Sequence, residues 1–313
     1  MTALDNKSEL VKNMNVIIAA ILAIAGVILT ISLLNNFSKG GMFSSAKLEP
    51  SEIAISLLVG FYHLLFAGLC YATSTALSST EKNSSWLENV LDVFGWSSII
   101  IGCIGFLAIT SMNAGSMASM STIISPILTV FYSLTLGLIC FGTSKTLKGE
   151  PNPSLENTLP AFAVILIIVG LISSVVLLNG FAKGGAFSSA RLELSEIIVA
   201  LLVGFYHFIL AGLCYGVYCI LKRIKPKSSQ FDNILKNVGW LAVFIGVVGA
   251  IIGIVKGSDI GFLSQYAILI AVAFGLYSST LGILSLGVYE HLKIQAGESQ
   301  AGESGSDLES RIN

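Results

Sequence analysis

Apolar residues in this chain run unbroken for about 20 positions at a time, with short polar stretches between the runs. Eight runs stand out, at 16–34, 53–77, 95–112, 122–146, 160–179, 196–222, 238–255 and 264–292. A bilayer core roughly 30 Å thick needs about 20 residues of helix to cross it. Membrane strands would alternate apolar and polar side chains, and these runs do not. Helices also satisfy their own backbone hydrogen bonds in lipid, where an open sheet edge cannot. The pattern predicts an all-α integral membrane protein with eight transmembrane helices. The first run resembles a leader peptide in position, but it is long enough to span. Its counterpart near 161–178 lies mid-chain, so it is read as a retained helix.

The runs are not independent. Residues 33–71 and 177–215 agree at 28 of 39 positions without a gap, at an offset of 144 residues. Such a period indicates duplication of a structural unit. A weaker repeat lies beneath it. The second helix of each successive pair reads FYHLLFAGLCY (61–71), FYSLTLGLICF (131–141), FYHFILAGLCY (205–215) and LYSSTLGILSL (276–286). The first helices of pairs two and four also match, as GWSSIIIGCIG (95–105) and GWLAVFIGVVG (239–249). The expected architecture is therefore four parallel helical hairpins in an A-B-A-B internal duplication. Its parts are a cytoplasmic N-terminal tail at 1–15, a first four-helix unit at 16–148, a linker at 149–159, a second unit at 160–293 and a tail at 294–313. That tail repeats QAGES and is expected to be disordered.

Charge orients the array. Counting the last turns of the adjoining runs, which add Lys145 and Lys222, the termini and the linkers at 78–94, 147–159 and 223–237 carry 12 of the 17 Lys and Arg residues, and the alternate turns carry five. Basic residues favour the cytoplasmic side, so both termini are expected inside. Lys222, Arg223, Lys225 and Lys227 form the strongest anchor.

Composition narrows the function classes. Hydrophobic residues make up 54% of the chain and charged residues 11%, with a net charge of −1. Soluble domains carry about 25% charged residues. A near-neutral chain also gives no footprint for nucleic acid. Cys70, Cys103, Cys140, Cys214 and Cys219 all lie in apolar runs with no CxxC or Cys/His cluster, so neither a disulfide frame nor a zinc site is expected. No nucleophile–base pair is evident, and no enzyme, metal or cofactor is predicted.

The candidate site residues come from the repeated register. Tyr62, Tyr132, Tyr206 and Tyr277 recur in all four returning helices. Five residues later stand Ala67, Gly137, Ala211 and Gly282, and three further on a Cys or Ser. Eight residues are close to two helical turns, so each stripe shares one face. Such a face is either a tight helix seam or a mildly polar wall. His63 and His207 lie about 10 residues inside their helices, where ionisable groups are expensive and tend to be functional. A relay and a neutral histidine bonding a neighbouring helix both fit them. Ser133 and Ser278 hold that position in the B hairpins, which excludes a histidine relay through all four. Thr129, Thr135 and Thr280 could extend a polar lining. Ser51-Glu52 and Ser195-Glu196 read as helix N-caps.

The stretches ILTVFYSLTLGLI (127–139) and LLVGFYHFILAGL (201–213) resemble the returning pore-side helix of the MotA/TolQ/ExbB proton-channel family, of the form LLTTFYGxxLANL. The match keeps Thr129 and the Phe131-Tyr132 pair, and sets Ala211-Gly212 against the family's Ala-Asn. It differs in the second threonine, in the tandem fusion of hairpins and in lacking a large cytoplasmic portion. The resemblance implies conduction or gating of a small cation, H⁺ above all, in a bacterial inner membrane. It also implies a single-span partner carrying an intramembrane aspartate, and leaves room for a homo-oligomer. The rival readings are a non-conducting scaffold for transmembrane helices and a small-solute secondary transporter.

Overall fold

The computed structural model describes residues 3–38, 50–78, 85–113, 120–150, 152–182, 194–223, 229–257 and 264–309. They form eight helices: α1 (Ala3–Ser38), α2 (Pro50–Leu77), α3 (Ser85–Asn113), α4 (Met120–Lys148), α5 (Pro153–Ala182), α6 (Leu194–Leu221), α7 (Ser229–Gly257) and α8 (Ser264–Glu309). No strand occurs among the described residues. Each helix contains a stretch long and apolar enough to cross a membrane, and the chain is a multi-pass membrane protein. The side chains of Ser51, Glu52, Ser195 and Glu196, and Lys225 and Lys227 altogether, lie outside the described residues.

Helices α3, α5 and α7 begin about two to three turns before their apolar runs. Polar residues at 85–94, 153–159 and 229–237 read as linker, yet they are helical and each stretch buries leucine. Leu87 and Leu91 are buried in α3, Leu155 and Leu159 in α5, and Leu235 in α7. Four-residue spacing puts such pairs on one face. Asn152 caps α5, its Oδ1 accepting the Leu155 N–H at 3.2 Å, and Pro153 takes the first helical position, where no N–H is needed. The α4 terminus is closed by Gly149 at φ 66°, with Gly149 N–H donating to Thr146 O (3.2 Å) and Glu150 N–H to Lys145 O (3.2 Å). The Lys145 ammonium bonds Glu150 there at 2.7 Å and holds its carboxyl below the usual range. At the other end of the chain the backbone stays helical to Glu309, where composition predicts a disordered tail. Gln, Ala and Glu favour helix, and no proline interrupts the segment.

Consecutive helices touch along seams of small residues. A methyl group at Gly26 of α1 would stand 2.8 Å from the His63 Cβ of α2, and Gly60 makes room for Thr30. The Thr30 hydroxyl then donates across to Ser56 O at 3.3 Å. The contacts recur 144 residues on, where Gly170 lies against His207, Gly204 against Ser174, and Ser174 Oγ donates to Ala200 O at 2.9 Å. Between α3 and α4, Gly102 meets Ser133, and Ser98 Oγ donates to Ser133 O at 2.9 Å. Between α7 and α8, Gly246 meets Gly275 and Ser279, and Ser278 Oγ donates to Ala242 O at 2.7 Å. In lipid such close approach and interhelical bonding replace the hydrophobic effect as the source of cohesion.

The chain divides into two compact units that cut across the halves at 16–148 and 160–293. Unit 1 comprises Met1–Leu91 and Trp240–Glu290, and unit 2 comprises Asp92–Gly239 and His291–Asn313. Unit 1 thus holds α1 and α2 with most of α7 and α8, and unit 2 holds most of α3 with α4, α5 and α6. The reason is visible in the side-chain contacts below, where A and B helices of opposite halves meet. Burial alternates along the chain. In α1, α3, α5 and α7 only 17% to 22% of the most apolar stretch is buried, against 39% to 67% in α2, α4, α6 and α8. The even helices carry the candidate motifs, and the odd helices present Ile, Val and Leu outward.

Candidate functional site

Two polar pairs occupy the middles of the even helices. In unit 1, the Tyr277 hydroxyl of α8 lies 2.9 Å from His63 Nδ1 and 3.4 Å from Nε2, and the two rings tilt together at 5.0 Å. In unit 2, the Tyr132 hydroxyl of α4 bonds His207 Nε2 of α6, with ring centroids 5.4 Å apart. His63 and His207 are each the fourteenth residue of a 28-residue helix. Both imidazoles are buried, and both face glycines of the preceding helix. Glycine is required there, because a side chain would drive the ring out of the seam.

Nδ1 of each ring also meets a backbone carbonyl of its own helix. His63 Nδ1 lies 2.7 Å from Val59 O, and His207 Nδ1 lies 2.6 Å from Val203 O. A carbonyl can only accept, so Nδ1 carries a hydrogen in each ring. In unit 2 the tyrosine hydroxyl meets the other nitrogen, Nε2. In unit 1 the hydroxyl sits nearer the Nδ1 edge and shares that hydrogen. The Phe66 ring packs edge-on against Tyr277 at 5.7 Å.

The four repeated tyrosines therefore divide. Tyr132 and Tyr277, from the B pairs, bond histidines of the A pairs. Tyr62 and Tyr206 are half-buried beside their own neighbours Phe61 and Phe205, at 5.4 Å and 5.7 Å. Thr135 and Thr280 are fully buried and donate to Phe131 O (2.8 Å) and Leu276 O (2.7 Å) of their own helices. Thr129 is half-buried, its methyl packed near Gly105. Ala67, Ala211 and Gly282 are buried, and Gly137 approaches Gly95 O closely enough that a methyl there would stand 3.0 Å away.

Sequence reasoning missed Asn15, which is fully buried in α1. Its signal was an amide at the start of the first apolar run. Among the described residues no group of three His, Cys, Asp or Glu side chains could hold a metal. Comparison with protein-family models, curated proteins and solved structures finds no match for this chain.

Proposed function

We propose that this protein conducts or gates a small cation, most simply H⁺, across a bacterial inner membrane, with four hairpins of common orientation arising by A-B-A-B duplication. The observation that carries this reading is the tyrosine–histidine bond, made once in each unit at mid-helix depth. A titratable ring there costs more than an apolar residue would, and function is the usual reason to keep it. With a hydrogen on Nδ1, the neutral form of either ring leaves Nε2 able to take a proton, and in unit 2 the Tyr132 hydroxyl beside Nε2 can turn to accept. The likeness of 127–139 and 201–213 to MotA/TolQ/ExbB helices supports the same reading and supplies a partner, a single-span protein with an intramembrane aspartate.

The test is proton entry into vesicles holding purified protein, driven by a potassium diffusion potential and read with an internal pH dye. Flux well above protein-free vesicles is expected, alone or with the single-span partner. Flux at the protein-free level under both conditions would overturn conduction and leave the scaffold. The scaffold reading has one observation of its own: small residues line the contacts of α1 with α2, α3 with α4, α5 with α6 and α7 with α8. A secondary transporter fits less well, because hairpin repeats share one orientation, whereas many transporters use inverted ones.

Topology is separately testable. With both termini cytoplasmic, as the distribution of basic residues requires, a C-terminal reporter active only in the cytoplasm will be active. A periplasm-specific reporter active at the same position would reverse the assignment.

A further inference from the structure

The two copies of the repeat part company where the second A helix enters its linker. Residues 222–227 read KRIKPK, four bases and no acid, while at the 144-residue offset the first copy reads SSTEKN (78–83). The B helices differ too. α4 stops at Lys148, whereas α8, its counterpart at an offset of 145, continues to Glu309. The added stretch 296–309 holds Glu298, Glu303, Asp307 and Glu309 and no base. A run of bases and a run of acids therefore occur in the same half of the chain. Both also belong to unit 2, which joins Asp92–Gly239 to His291–Asn313.

The two runs start from one point. Ile220 O, in the last turn of α6, accepts from Gln295 Nε2 of α8 at 3.2 Å and from the Arg223 N–H at 3.1 Å. Gln295 directly precedes the acidic stretch, and Ile220 stands two residues before the basic one. Three residues of helix advance about 4.5 Å and eight about 12 Å, so Glu298 and Glu303 follow Gln295 within about two turns. Arg223 is exposed and closes α6 at φ 49°, a left-handed position that α4 fills with Gly149. Residues with a side chain disfavour that conformation, so the arginine stands there against its backbone preference. Lys222 lies over the Tyr218 ring at 5.5 Å and 4.0 Å from the Glu156 carboxylate. One acid against four bases leaves this end of α6 positive.

We propose that the basic end of α6, from Lys222 to Lys227, is a docking surface for the acidic C-terminal segment of the same chain, which lies as a strap across the α6–α7 linker. Opposite charge holds the strap, and the Gln295 bond brings its start to the surface. The strap is separate from conduction and from which side the termini face, since that bond puts both segments on one side.

The experiment is zero-length carbodiimide cross-linking of the full-length chain, one copy per nanodisc. One set of discs is phosphatidylcholine, and the other adds phosphatidylglycerol. The reagent joins a lysine amine to a carboxylate when the two are in contact. Lys145–Glu150 and Lys148–Asp92, at 2.7 Å and 2.8 Å, are the internal standards. Amide links from Glu298 or Glu303 to Lys222, Lys225 or Lys227 are expected in both sets. Their yield should fall several-fold in high salt, which screens exposed pairs. Standards that couple while the two runs do not would overturn the strap. Links that vanish when phosphatidylglycerol is present would also overturn it, giving the surface to anionic headgroups. Trypsin separates docking from chance encounter. In the double variant Glu298→Gln, Glu303→Gln, cutting after Lys227 is expected to quicken several-fold relative to cutting after Lys82 in the linker of the first copy. An unchanged ratio would refute docking.

Discussion

Replacing Gly246 with alanine is expected to pry α7 from α8 and lower the unfolding temperature by several degrees. The added methyl would stand 2.6 Å from Ser279 Oγ, 2.7 Å from Gly275 O and 2.9 Å from Ser279 N. Two of these three neighbours are backbone and cannot swing aside. Relief requires the helix axes to separate, which weakens the 2.7 Å bond from Ser278 Oγ to Ala242 O. Overpacking of this kind costs about 1–3 kcal/mol, and the lost interhelical bond adds about 0.6 kcal/mol. Alanine's better helix propensity returns about 1 kcal/mol, so the net is destabilising. Gly212 is the control. Its nearest neighbour is the Leu235 Cδ1, 3.2 Å from an added methyl, and a leucine tip can rotate away. Gly212→Ala is therefore expected to be neutral or stabilising. Thermal unfolding in nanodiscs compares the two, and Gly246→Ala melting with the wild type would refute the seam.

The eight helices were legible because 20 consecutive apolar residues have few other uses. Their starts were not. At 85–91, 153–159 and 229–235 the polar residues outnumber the leucines, and only burial of Leu87, Leu91, Leu155, Leu159 and Leu235 shows the stripe. Periodicity in so short a window is weak when the flanks are read as linker. Asn152-Pro153 could have marked the α5 start, since an amide cap before proline is a direct signal. For the candidate site, the repeat exposed the register of Tyr62, Tyr132, Tyr206 and Tyr277 but not which copies touch. A repeat states that two helices are alike, and contact between unlike copies must come from tertiary packing. That packing shows Tyr132 and Tyr277 bonded to histidines, with Tyr62 and Tyr206 beside the rings of Phe61 and Phe205. It also turns Thr135 and Thr280 inward to their own carbonyls, a choice open to any helical threonine and invisible in the sequence.

Substituting glutamine at both His63 and His207 is expected to abolish the pH dependence of flux while the protein still folds. Folding should survive because the lost contacts are few. Each histidine contributes one bond to a neighbouring helix, worth about 0.6 kcal/mol in membranes, and one to its own backbone that the glutamine amide can replace in part. The pH response should not survive. Proton uptake at Nε2 gives the ring a second N–H and, in unit 2, forces the Tyr132 hydroxyl to accept where it donates to the neutral ring. Glutamine has no such site. Tyr132→Phe with Tyr277→Phe leaves the titrating nitrogen in place but removes its partner, so the response should persist and move in pH. The same change at Tyr62 and Tyr206 is the comparison, since the bonds to His63 and His207 are made by Tyr277 and Tyr132, and it should leave that position alone. Single variants should each remove part of the response, since each unit holds its own pair. The measurement is proton flux into vesicles across external pH, with folded yield followed by size-exclusion chromatography. A double histidine variant that folds and keeps the full pH response would eliminate these rings as the proton-sensitive elements. Collapse of folded yield in that variant, with normal yield and response in the tyrosine variants, would assign the histidines to packing.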